Sequence, residues 1–175
     1  GGRALRYELY PLVSAEIPDF DLLRALNHGL LPRHYLTKQP KRLLAAYVGN
    51  YLKDEIVSEA KIRNVSVFAR FLEAAAFSNG EMVNYSNIAA DCGVSSPTVK
   101  EYFQILEDTL IGRFVPVYQK KPKRRVIQAP KFYFFDTGIV NHLLRRDRIE
   151  YKSEAFGHAF EHFIYQELYA HSHYS

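Results

Sequence analysis

The pentapeptide HAFEH, His158 to His162, sets two imidazoles at i and i+4 with the carboxylate of Glu161 beside the second. On a helix both histidines share one face, and H-x-x-E-H occurs as a zinc motif in inverted zincins. Such a site needs a third protein ligand, and only 13 residues follow His162. The two histidines are therefore read as surface or interfacial groups, and no metal is assigned. The tail HSHYS is too short to form a site. Cys92 is the single cysteine; with no second cysteine and no evident basic neighbour, it is read as an inert thiol.

Phosphate binding is the other chemistry within reach. Nine Lys or Arg lie between Tyr118 and Arg148 against Asp136 and Asp147, a balance of +7 that leaves −3 for the rest of a +4 chain. Five of the six residues from Lys120 to Arg125 are basic: Lys120, Lys121, Lys123, Arg124 and Arg125. A cluster of this kind suits a polyanion, although solvated loops also gather lysines.

The elements that position these groups are mostly helical. Leu5–Leu12 reads as a short strand, Phe20–Asn27 as a helix, and HGLLPRHYLTKQP as a loop punctuated by Gly29, Pro32 and Pro40. Leu44, Val48, Tyr51, Leu52 and Ile56 then recur on one helical face. A second helix turns Val67, Phe68, Phe71, Leu72 and Ala75 inward and stops at Ser78–Gly80. GRFVPVYQ and RVIQAPKFYFFD read as strands flanking the basic tip, with Pro116 keeping the first at an edge. Asp136 is placed to cap a helix reaching about Arg145. A final helix from Glu154 to about His171 repeats Phe156, Phe160, Phe163 and Ile164 on one side, a stripe expected to pack on a neighbouring helix or a second copy of the chain. No apolar run approaches the ~20 residues that span a bilayer, and no signal-peptide pattern is present, so a cytoplasmic location is expected.

Between the second helix and the strands lies NIAADCGVSSPTVKEYFQILE, Asn87 to Glu107. Ala89 is small enough for two helices to cross closely, Gly93 accepts a positive φ at the turn, and Val99 points inward from the second helix. Ser95 or Ser96 caps that helix, with Pro97 in its first turn. These spacings predict a helix-turn-helix, and the strands after it predict a winged helix. Its exposed candidates for nucleic acid are Ser95, Ser96, Thr98, Lys100 and Gln104, a modest set for reading bases, with the wing at Lys120–Arg125 the better equipped for phosphate. A packing or protein-interaction role for the same module stays open.

Taken together, GRALRYELYPLVSAE, HGLLP, YVGNYLKDEI, NYSNIAADCGVSSPTVKEYFQILEDTLI, KFYFFDTGIVNHLL and AFGHAFEHFIYQEL resemble, in order, the C-terminal region of a prokaryotic family of predicted AAA-type P-loop ATPases. In that family an ATPase domain precedes a domain of unknown function. The resemblance implies a division into residues 1–39 (end of the ATPase core and linker), 40–135 (helical and winged-helix domain) and 136–175 (start of a truncated endonuclease-like part). It also implies that the chain is a piece of a longer one, lacking Met at its start. ATP and Mg²⁺ would belong to the full-length protein. This chain has no G-x-x-x-x-G-K-[ST], so no catalysis and no cofactor are assigned to it, and Arg3 is the one weak candidate near a nucleotide. Glu161 would be the first carboxylate of a nuclease-type metal site, with Glu167 further along the helix; the D…E-x-K that would complete it is missing. His162 stands where the family has Asn.

The fold expected is mainly α with a small β component, a helical bundle around a central winged helix-turn-helix. The function expected is a non-catalytic module coupling nucleotide state to a partner, with duplex DNA the first candidate. The alternatives are a protein-interaction or lid module that binds the ATPase domain, and part of a nuclease completed only in the full chain.

Overall fold

The computed structural model describes residues 9–49, 58, 62, 64–118 and 129–174. Within them the chain is mainly helical, with a two-stranded antiparallel sheet. A 3-10 turn at Ser14–Glu16 leads to α1 (Leu22–His28), α2 (Pro32–Leu36), α3 (Pro40–Ala46), α4 (Val65–Phe77), α5 (Tyr85–Cys92) and α6 (Ser96–Asp108). Strands β1 (Gly112–Val115) and β2 (Lys131–Phe134) follow, then α7 (Thr137–Leu143) and α8 (Glu154–Tyr174).

Short polar side chains start five of these helices, and two of those caps, at Asp136 and at Ser95 or Ser96, are expected from the sequence. Asp21, Asn64, Asn84, Ser95 and Asp136 each accept a hydrogen bond from an N–H of the first turn of α1, α4, α5, α6 and α7 respectively. Two segments depart from expectation. HGLLPRHYLTKQP contains a helix, α2, rather than only loop, because Pro32 occupies its first turn, where a missing N–H costs nothing. Of the expected strand Leu5–Leu12, residues 9–12 are described and are not in a strand, although Leu12 N–H donates to Leu30 O at 2.9 Å. Tyr51, Leu52 and Ile56 lie outside the described residues, whereas Leu44 and Val48 are buried as their spacing implies.

The larger core joins α4, α5, α6, the sheet and α7. Val67, Phe68, Phe71, Leu72 and Ala75 of α4 turn inward, as their period requires. Phe103 of α6 is the hub: its ring meets Phe71 at 4.9 Å, Phe132 at 4.8 Å and Phe114 at 5.5 Å, in tilted or edge-on arrangements. One side chain thereby ties α4, α6 and both strands together. The sheet pairs Gly112 with Phe134 and Val115 with Lys131. After α4 the chain runs beside β2: Gly80 N–H donates to Phe132 O at 2.8 Å and Val83 N–H to Pro130 O at 3.0 Å. Bridges at Asn79–Phe132 and Met82–Lys131 thus cover the outer edge of β2.

A second core brings Ala25, Leu26, Leu30 and Tyr35 against Ile149, Ala159 and Phe163. Residues on the two sides of the expected boundaries at 39/40 and 135/136 share these cores. The aromatic stripe of α8 contributes to the second. Phe163 is buried, stacks on Phe20 at 5.6 Å, and continues through Phe160 to Phe156. Ile164 and Leu168 remain exposed.

A buried polar clasp holds α1 to α7. Asp136 is fully buried; one carboxylate oxygen accepts from Gly138 N–H at 2.9 Å and the other from Leu30 N–H at 2.6 Å. Gly29 permits this, since its φ of 79° suits glycine and a Cβ there would collide with the Asp136 carboxylate. Thr137 Oγ1 donates to Ala25 O at 3.1 Å and Asn141 Nδ2 to Leu26 O at 2.6 Å, so side chains of α7 take up the last carbonyls of α1. Burial pushes the Asp136 carboxyl up to about 6, against the lowering effect of backbone N–H donors at Leu30, Gly138, Ile139 and Leu31.

Candidate nucleic-acid interface and a basic cleft

α5 and α6 form the turn that Ala89, Gly93 and Val99 imply. Gly93 ends α5 in the left-handed region (φ 68°, ψ 38°), and Val94 N–H closes the turn onto Ala89 O at 3.0 Å. Ala89 and Val99 are both buried. The capping question left open between Ser95 and Ser96 is answered by Ser95, whose Oγ accepts from Thr98 N–H at 3.3 Å.

The exposed side of α6 is less available than its sequence suggests. Ser95 Oγ also bonds Thr98 Oγ1 at 2.9 Å, and Gln104 Nε2 donates to Asp108 Oδ1 at 2.9 Å. Lys100 is exposed and leans over the Tyr85 ring at 5.3 Å. Ser96 is half-buried. With Glu101 and Asp108 on the same exposed side, the helix carries no positive field of its own. Lys120, Lys121, Lys123, Arg124 and Arg125 lie outside the described residues, as does Arg3; the strands flanking the basic segment, β1 and β2, pair as expected.

Near α8 the carboxylates are already partnered. Glu161 accepts from Lys131 Nζ at 2.8 Å and from Tyr133 Oη at 2.7 Å, and these bonds draw its carboxyl below the usual range. Glu167 accepts from Ser14 N–H at 2.7 Å and Ser14 Oγ at 2.8 Å. Both bind neighbouring elements to α8.

His162 is not a surface group. It is buried, its Nε2 lies 2.7 Å from Phe134 O, and Nδ1 lies 3.2 Å from Asn79 Nδ2. Asn79 Oδ1 accepts from Phe134 N–H at 2.9 Å, which leaves its amide NH₂ facing the imidazole. That arrangement calls for the neutral tautomer, with Nε2–H donating to Phe134 O and Nδ1 accepting. Burial holds its pKa down at about 4. Its sequence period could not reveal this, because helix α8 packs β2 over the face that the spacing alone leaves open. His158 is exposed, with Nδ1 3.7 Å from Glu81 Oε1. Among the described residues no three His, Cys, Asp or Glu side chains gather into a metal-holding group. Cys92 is buried, and burial pushes its thiol pKa up.

A basic concavity lies elsewhere among the described residues. A cleft of about 990 Å³ opens beside α1, between Lys38, Lys41 and Arg42 at the start of α3 and Arg145, Arg146 and Arg148 after α7. The seventh basic residue lining it, Arg24, is committed internally, donating to Tyr35 O at 2.7 Å and Thr37 O at 3.1 Å. Asp21 and Asp147 are the acids on its walls. Sequence reading grouped Arg145, Arg146 and Arg148 into one stripe with the wing. Of the described part of that stripe, Lys131 is paired with Glu161, while the three arginines line the cleft together with Lys38, Lys41 and Arg42. Both basic clusters are visible in the sequence, KQPKR and RRDR. Their meeting depends on the clasp between α1 and α7, which no local pattern encodes.

The described chain is thus a mainly helical protein with a two-stranded antiparallel sheet, and none of its helices is long and apolar enough to cross a membrane. Residues 19–150, well over half of the chain, match the model of the domain of unknown function DUF8612, and the chain belongs to that family. No curated protein and no solved structure matches it.

Proposed function

We propose that this chain is a non-catalytic winged-helix module that binds the backbone of duplex DNA, and that it serves a longer, cytoplasmic AAA-type ATPase whose own domain supplies ATP and Mg²⁺ chemistry. The observation that carries the reading is the order of elements around Phe103. A helix-turn-helix (α5, α6) is followed by antiparallel arms (β1, β2), and residues 79–83 bridge the far edge of β2. The arms bracket a segment with five cations among six residues. Phosphate contact through that segment, with α6 adding Lys100 and Ser96, gives affinity without strong sequence preference. Glu161 and Glu167 serve as structural partners in this reading, and nuclease chemistry has no role in the chain itself.

A second reading is favoured by one observation: Ser95, Thr98 and Gln104 spend their polar groups within α6. In that reading the module docks on the ATPase domain and leaves DNA alone. Fluorescence anisotropy with a labelled duplex separates the two. DNA binding should weaken steeply with salt. Neutralising Lys120, Lys121, Lys123, Arg124 and Arg125 to Gln together should flatten the log–log salt slope by up to about 4.5 units, each phosphate contact contributing roughly 0.9. An unchanged slope would end the wing's role.

A further inference from the structure

We propose that the cleft beside α1 binds a compact anion carrying several phosphate groups, at a site separate from the helix-turn-helix. Its volume of about 990 Å³ falls at the upper end of small-ligand pockets. Seven Lys or Arg line it against two Asp. The side chains of Lys38, Arg42, Arg145 and Arg148 have no hydrogen-bond or ion-pair partner among the described residues, and Lys41 reaches Asp147 only at 3.5 Å, with both side chains well exposed. An ion pair of that kind contributes little and yields readily to a stronger acceptor.

Arg146 adds an independent argument. It is half-buried, and burial lowers its pKa, yet among the described residues its side chain is held only by the neutral Asn141 Oδ1 at 3.3 Å. A guanidinium withdrawn from water without a counter-charge is unfavourable, and a phosphate in the cleft would supply one. Arg145 is held at φ 52°, an uncommon conformation for a residue with a Cβ. That backbone, closed by Arg146 N–H on Asn141 O at 2.9 Å, turns the RRDR stretch toward α3.

The lining also narrows the ligand class. No Phe, Tyr or Trp is among the described lining residues, which therefore offer no platform on which single-stranded bases stack. Arginine forks instead match phosphate oxygens. The chemistry recognised is a short chain or cluster of phosphates, whether free or carried by a nucleotide.

Isothermal titration of the 175-residue chain with sodium tripolyphosphate at about 50 mM salt tests this, because screening weakens such contacts as salt rises. Binding is expected, and orthophosphate should bind at least about tenfold more weakly. Arg42, Arg145 and Arg148 are all exposed, so Arg42→Gln/Arg145→Gln/Arg148→Gln should leave circular dichroism and Tm unchanged. That variant should bind tripolyphosphate about tenfold or more weakly, while the five-residue wing variant binds it like the parent. ATP competing with tripolyphosphate identifies a nucleotide's phosphate chain as an admissible source, and ATP failing to compete identifies free polyphosphate; both uphold the site. No binding at about 1 mM ligand overturns it. So does equal affinity for orthophosphate, or a folded triple variant that binds unchanged. Displacement of tripolyphosphate by duplex DNA in the wing variant would also overturn the assignment to a compact anion.

Discussion

Two buried titratable side chains set opposing pH dependences. Asp136 has a folded pKa of about 6, above its ordinary 3.8, so its contribution to stability is full below pH 4 and is lost as pH rises through 6. His162 has a folded pKa of about 4, below its ordinary 6.5, so its contribution is full above pH 6.5 and is lost as pH falls through 4. Each shift corresponds to about 3 kcal/mol, and the two largely cancel between pH 4 and 6. Urea denaturation at pH 4, 5 and 6.5 should therefore show a nearly flat contribution from this pair. Asp136→Asn should steepen the loss of stability on acidification, and His162→Gln should do the reverse. Equal slopes in parent and variants would refute the assignment. Of these two residues, the sequence reveals only Asp136's cap on α7. Its bond to Leu30 and the burial of His162 arise from packing between remote segments.

At the level of elements, the helix-turn-helix was readable because its determinants are local. Ala89, Gly93 and Val99 lie within 11 residues and act through turn geometry and one helix face. Gly93 also gives a clean prediction, since a Cβ there meets nothing within 4 Å. Gly93→Ala should cost only the left-handed backbone penalty, about 1 kcal/mol, or roughly 2–4 °C in Tm for a chain of this size. At Phe103 the cost should be larger. Phe103→Ala removes the ring that joins α4, α6 and both strands and should cost about 3–5 kcal/mol in chemical denaturation. A loss below 1 kcal/mol at Phe103 would contradict its place as hub. α2 was hidden because Gly29, Pro32 and Pro40 read as punctuation, although Pro32 in fact opens a helix.

For the whole molecule, the core that pairs residues 25–35 with 149–163 makes the N-terminal segment integral to the fold. Deleting residues 1–39 should uncover Ile149, Ala159 and Phe163 and convert a sharp thermal transition into a broad one with increased dye binding. A truncated chain that melts as sharply as the parent would refute that dependence. Composition and period indicated helix class and the α4 core, but not which clusters of charge converge, because convergence is set by contacts about a hundred residues apart. The Asp136–Leu30 bond spans a sequence separation of 106. Such a closure is slow to form, since a long loop must be ordered before the contact rewards it. The Leu30 amide is therefore expected to exchange its hydrogen only through global opening, which makes it a single-site reporter of when the segments around α1 and α7 have met.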